Sequence, residues 1–355
     1  MRIHYSIHLK LLLALLVVIT SLSPVQSAAL TIEDEMGRKV HIKPALQRIV
    51  VLTSYPAEII CALGCGENIV GVCKPKRHFL PEIQGKPSVG NSAVTPNLEK
   101  IVELAPDLVV AYQWTHKDIV RQLEVLDIPV ICSGTWTLKQ IDRFIKQMGR
   151  ILGKPQRAEE LRCFFTDTTR LIHGRTQRLA VSQKPRVFLE GTTPYQTSAV
   201  GQNAMQTPWG TFMFESPMQQ QLEIAGGINC VGSQPAKAPT MSPEWVIENN
   251  PDAFIKIAVV EIDGAVVSAE FMHQQRNAFL ARPELSRLKA TQRKSVFVIH
   301  PRLCAGPMQV IGGCYYAKWL HPELFSDLSP MRVHQKMLSQ FWGIDYAGTW
   351  GSPIP

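Results

Sequence analysis

Residues 97–111, NLEKIVELAPDLVVA, and residues 242–257, SPEWVIENNPDAFIKI, are built on one plan. Each begins at a residue that caps helices well, Asn97 or Ser242. Each carries an acid in the first helical turn, Glu99 or Glu244, where the helix dipole favours negative charge. Each then turns at Pro-Asp and runs at once into a short apolar strand. Helix capping accounts for either acid alone. Two matches, at corresponding points of two α/β segments, point to one architecture used twice.

The flanking sequence supplies the rest of each segment. RIVVLT (48–53) is a β-branched apolar run of the kind that forms a buried parallel strand. SYPAEIICALG follows, with Pro56 at a helix start and Gly64 at its end. NIVGVC (68–73) is a strand, HKDIVRQLEVLD a helix, IPVICSG a strand and TLKQIDRFIKQMGRILG an amphipathic helix. From Lys154 the alternation stops. KPQRAEELRCFFTDTTRLIHGRTQRL spans about seven helical turns, with Gly174 as the point where it would be interrupted. Alternation resumes with PRVFLEG (185–191), MQQQLEIAGG (218–227), the 242–257 unit, a helix at FLARPELSRL (279–288) and a strand at SVFVIH (295–300). Strands alternating with helices imply parallel sheets covered on both faces. The expectation is an α/β protein of two Rossmann-like lobes joined by a single long α-helix. The first lobe takes 28–153, the helix 154–180, and the second lobe, with a helical C-terminal extension, 181–355.

Residues 1–27 stand apart. Arg2 and Lys10, the run LLLALLVVIT and the small-residue stretch SLSPVQS form a secretory signal pattern, with cleavage expected after Ser27. Its loss removes two positive charges, taking the net charge from +8 to +6. Lys and Arg are dispersed, which argues against a nucleic-acid surface. The first of the eight cysteines is Cys61, so no lipid-modified cysteine is expected beside the cleavage site. In an oxidising compartment Cys304 with Cys314, or Cys61 with Cys73, are candidate disulfides. No paired C-x2-C spacing suggests zinc, and no bound metal or cofactor of the protein itself is expected. The G-x-S-x-G, G-x-G-x-x-G and P-loop patterns of enzymes are absent. Binding is favoured over catalysis.

Taken together, RIVVLTSYPAEIICALG, NLEKIVELAPDLVVA, the long helix from 156 and SPEWVIENNPDAFI resemble the substrate-binding proteins of ABC importers for ferric siderophores, haem and vitamin B12. The resemblance covers roughly residues 45 to 325. It implies a ligand cleft between the lobes, a metal chelate as ligand, and a periplasmic, soluble monomer. It also implies a partner, the permease dimer with its ATPase, onto which one acid from each lobe docks. Those acids are Glu99 and Glu244. Binders of small oxyanions such as molybdate share the fold group and remain an alternative; a secreted chelatase-like enzyme is a more distant one.

Ligands of open α/β sheets bind beyond the carboxyl ends of the strands. That rule selects Tyr55, Tyr112, Trp114 and Trp136 in the first lobe, and Tyr195, Trp209 and Arg302 in the second. Aromatic and polar side chains at strand ends suit a large planar or chelate ligand. Tyr112 and Trp114 would either close the sheet or touch ligand. Arg302 would pair an acid, either on the ligand or on the protein surface.

Overall fold

The computed structural model describes residues 30–43, 46–74, 78–191, 209–211, 216–232, 240–260 and 266–353. The expected signal peptide and Tyr195 lie outside them. The chain opens with an antiparallel hairpin, β1 (Leu30–Glu33) and β2 (Lys39–Ile42). The first lobe is then β3 (Ile49–Val51), α1 (Ser54–Ala62), β4 (Ile69–Val72), α2 (Pro81–Gln84), α3 (Leu98–Glu103), β5 (Leu108–Tyr112), α4 (Lys117–Val125), β6 (Val130–Ser133) and α5 (Leu138–Ile151). Its strands are parallel and ordered β4-β3-β5-β6.

The long helix α6 runs unbroken from Pro155 to Thr176, through Gly174. It packs on α5 of the first lobe and on two helices of the second, α7 (Pro217–Ile224) and α11 (Gln309–Leu320). Between these come β7 (Arg186–Glu190), β8 (Ile228–Asn229), α8 (Pro243–Asn249), β9 (Ala253–Ile257), α9 (Ala269–Leu280), α10 (Lys289–Gln292) and β10 (Val296–Ile299). α12 (Pro330–Trp342) and β11 (Gly351–Ser352) close the chain. The second sheet is ordered β11-β10-β9-β7-β8, parallel except for β11. Counting from the first parallel strand of each lobe, the parallel strands of both sheets therefore run 2-1-3-4, and β11 adds an antiparallel fifth strand to the second.

The strands are apolar throughout because both faces are covered. In β3, Ile49 and Val51 enter one large core shared between the lobes, whereas Val50 enters a separate core on the outer face. In β7, Val187 and Leu189 join the shared core, and Phe188 joins an aromatic layer on the far side.

One expected element is displaced. The helix assigned to 279–288 is α9, which ends at Leu280; Ser268 caps its start, accepting from the Phe271 amide, and Pro283 begins only a short 3-10 turn. Proline restricts the residue before it and lacks an amide, so the helix ends ahead of it. The disulfide expectation is also corrected: all eight cysteines are free thiols, with Cys61, Cys304 and Cys314 buried. Cys304 and Cys314 turn instead to the carbonyls of His300 and Val310.

The repeated Pro-Asp has a shared structural cause. Before each proline the chain takes a left-handed residue, Ala105 (φ 40°) or Asn250 (φ 41°). Each aspartate then staples two neighbouring strands at their starts. The Asp107 amide donates to the Arg48 carbonyl at 2.7 Å, and its carboxylate accepts from the Gln47 and Arg48 amides at 2.8 and 2.9 Å. In the second lobe the Asp252 amide donates to the Arg186 carbonyl at 2.8 Å, and its carboxylate accepts from the Arg186 amide at 3.0 Å. Each arginine in turn donates to the helix end before the proline, Arg48 to Leu104 and Arg186 to Asn249. The sequence echo is thus one hydrogen-bonded device built twice.

Candidate functional site

In a 2-1-3-4 sheet the crevice lies between the first and third strands, at their carboxyl ends. In the first lobe this is the gap between β3 and β5. Tyr55 stands in the first turn of α1, directly after β3, and Tyr112 is the last residue of β5. Trp114 follows two residues on, with its ring edge-on to Tyr112 at 4.9 Å and 6.3 Å from Trp136, which follows β6. Trp114 is 46% exposed. The three rings form a shelf at the strand ends, wet on one side.

The second lobe meets this shelf at its base. The Gln309 side-chain amide donates to the Trp136 carbonyl at 3.3 Å, and the Gln220 side-chain oxygen accepts from the Leu138 amide at 3.3 Å. Tyr55 lies against the backbone of Gly306; a Cβ on that glycine would come within 2.2 Å of the ring. Beside Trp136 two polar atoms are buried and have no hydrogen-bond partner among the described residues, the Thr135 hydroxyl and the Gln309 side-chain oxygen.

Below the shelf, Arg302 is 2% exposed and ion-paired with Glu58, itself fully buried in α1. Its guanidinium stacks over Phe79 at 4.7 Å and Tyr55 at 5.9 Å. His78 lies 3.7 Å from Glu58. Burial, together with the Arg302 charge, pushes the His78 imidazole down to about 3, so it is neutral beside the pair. Arg302 is therefore not a residue waiting for a ligand acid; its partner is an acid of the other lobe, inside the protein. The signal for this lay in AEIIC, where Glu58 is set in an apolar run.

Trp209 is also relocated. It is fully buried, with φ 73°, and packs with Phe188, Phe254 and Phe279 in the aromatic layer of the second lobe. Above it, at the gap between β7 and β9, the Arg282 guanidinium grips Glu190 through two 2.7 Å hydrogen bonds, and Lys256 adds a third at 3.1 Å. Arg282 also stacks on Trp209 at 4.9 Å. Two cations on one carboxylate form a buried cap over the aromatic layer.

Glu99 and Glu244 occupy equivalent places. The Asn97 side chain accepts from the Lys100 amide and the Ser242 hydroxyl from the Trp245 amide, so each acid sits in the first turn of a capped helix. Both are exposed. Hydrogen bonds from its own amide and from Ser242 hold the Glu244 carboxyl below the usual carboxylate range. Each helix leads into the strand it precedes from that strand's far end, so both acids lie on the carboxyl-end side of their sheets, the side of the crevice.

The two-lobed arrangement, with aromatic rings at its strand ends and an exposed acid on each lobe, has counterparts among known proteins. The family model described as "Periplasmic binding protein" matches residues 49–303, from β3 to the end of the Arg302 segment. The chain belongs to the periplasmic binding protein family. Among curated relatives, the uncharacterized ABC transporter substrate-binding lipoprotein YvrC of Bacillus subtilis is 25% identical over 84% of this chain and 87% of its own length. The vitamin B12-binding protein of Salmonella typhimurium is 30% identical over 58% of this chain and 71% of its own. The TroA-like periplasmic binding protein FepB of Veillonella parvula has the same fold, with a TM-score of 0.76 at 21% identity, covering 92% of this chain and 99% of that one. As a member of this family the chain is a substrate-binding protein of an ABC importer, a class that works with a permease and an ATPase. Its relatives and fold neighbours are transport proteins rather than enzymes.

Proposed function

We propose that the protein captures a metal chelate in the crevice, as a free periplasmic monomer, and hands it to a permease on which Glu99 and Glu244 dock. A ferric siderophore or related iron complex is the favoured cargo, with haem and cobalamin in the same class. The observation that carries the reading is the Tyr112–Trp114–Trp136 shelf, which offers ring faces and edges to a large ligand. The Thr135 hydroxyl and Gln309 oxygen, without a partner among the described residues, supply polar contacts beside it. In this reading the metal arrives with its coordination sphere already filled by the chelator. Vitamin B12-binding proteins among the relatives support the chelate class.

The test is intrinsic tryptophan fluorescence titrated with ferric siderophores, haem, cobalamin and molybdate. Saturable one-to-one quenching by one chelate is expected, with Trp114→Ala weakening that ligand about tenfold, the equivalent of ~1.4 kcal/mol. Saturation by molybdate alone would replace the chelate with an oxyanion.

A further inference from the structure

The two docking helices match beyond their glutamates. At a constant offset of 145 residues, Glu99, Val102 and Glu103 on α3 correspond to Glu244, Ile247 and Glu248 on α8. The helices have the same rotation, because Ile101 and its counterpart Val246 are both fully buried and anchor the inner face. The next residues then point outward: Val102 is 39% exposed and Ile247 47%. Positions i, i+3 and i+4 share a helical face. Each lobe therefore shows an aliphatic side chain set between two exposed acids.

Single exposed aliphatics are ordinary on protein surfaces. The same one twice, at equivalent points of two lobes and each between acids, is not covered by that. Among the described residues none of these four carboxylates is held in an ion pair. Solubility would be served by a polar residue at 102 and 247, and among the described residues neither side chain packs on the hydrophobic cores beneath the helices.

We infer that each docking point is this three-residue patch, and that the partner meets each lobe with basic side chains around a shallow apolar depression. The inference deepens the docking reading above and rests on it. Glu99, Glu103, Glu244 and Glu248 steer the approach; Val102 and Ile247, once covered, slow the departure. Rim charges act mainly on association and buried apolar contacts mainly on dissociation.

The experiment uses inner-membrane vesicles of the native host lacking its own copy of the gene, with the purified, ligand-loaded protein added back. Binding kinetics and uptake are followed for Val102→Ser/Ile247→Ser and, in parallel, for Glu99→Ala/Glu244→Ala. The serine pair is expected to bind the vesicles roughly tenfold more weakly, chiefly through faster dissociation. Its ligand titration, which also reports folding, stays unchanged. The glutamate pair is expected to lose association and uptake. Loss with the glutamate pair beside wild-type kinetics for the serine pair would overturn the three-residue patch and leave docking by the acids standing. Unchanged binding in both variants would remove the docking assignment itself.

Discussion

At the scale of single residues, Gly306 decides how close the lobes come. Its φ of 67° lies in the left-handed region, and the Tyr55 ring occupies the space a side chain would need. Gly306→Ala is expected to destabilise the protein by ~1–3 kcal/mol, from backbone strain and overpacking together, read from the midpoint of urea unfolding. That Tyr55, Tyr112, Trp114 and Trp136 stand at or just beyond strand ends was readable because the carboxyl-end rule needs only strand limits, and apolar runs mark those. Trp209 and Arg302 satisfy the same rule and are nonetheless internal. A strand end says where a side chain starts but not whether it turns to the crevice or back over the sheet. Trp209 turns back onto Phe188 and Phe254, and Arg302 turns toward Glu58, some 240 residues away in the chain. Only the fold brings such partners together; in the sequence the acid in AEIIC marks one half of the Arg302 pair and nothing marks the turn of Trp209.

At the scale of elements, the repeated Pro-Asp unit was the most legible feature and proved the most regular. Its cause, the Asp107 and Asp252 carboxylates accepting from amides at the start of the neighbouring strand, is non-local and lay beyond periodicity. The displaced helix shows the opposite case. FLARPELSRL has helical spacing, yet Ser268 and Pro283 set the limits of α9, and punctuation overrode periodicity. Between elements, the Glu58–Arg302 pair joins α1 of one lobe to the segment after β10 of the other. Arg302→Met removes the guanidinium that balances the buried Glu58 charge, and is expected to cost about 3–5 kcal/mol. The double variant Glu58→Leu/Arg302→Met should recover much of that loss. Additive losses in denaturant unfolding would show that the pair does not act as a unit.

Over the whole molecule, two rings make the fold sensitive to acid. Burial, assisted by neighbouring positive charge, holds both His78 and His334 down to about 3, against an unfolded value near 6.5. In the window between those values the unfolded chain binds protons that the native protein does not. Stability is therefore complete above pH ~6.5 and falls as pH drops toward 3. His334 is fully buried against Trp350 and Tyr346, and neither ring nitrogen has a partner among the described residues. His334→Phe should flatten the decline of the thermal midpoint between pH 6.5 and 4 while leaving it little changed at pH 7.5; an unaltered slope would clear His334 of the effect. The lobes themselves carry a geometric consequence. Strand order, Pro-Asp staple and outward helix face all recur, so the single chain imitates a dimer. On the docking proposed above, a permease with two-fold symmetry would be met in two ways, half a turn apart, since either lobe would fit either seat. Cargo held near the axis between the lobes would enter the same passage in both, and a loaded molecule would have no wrong way round to arrive.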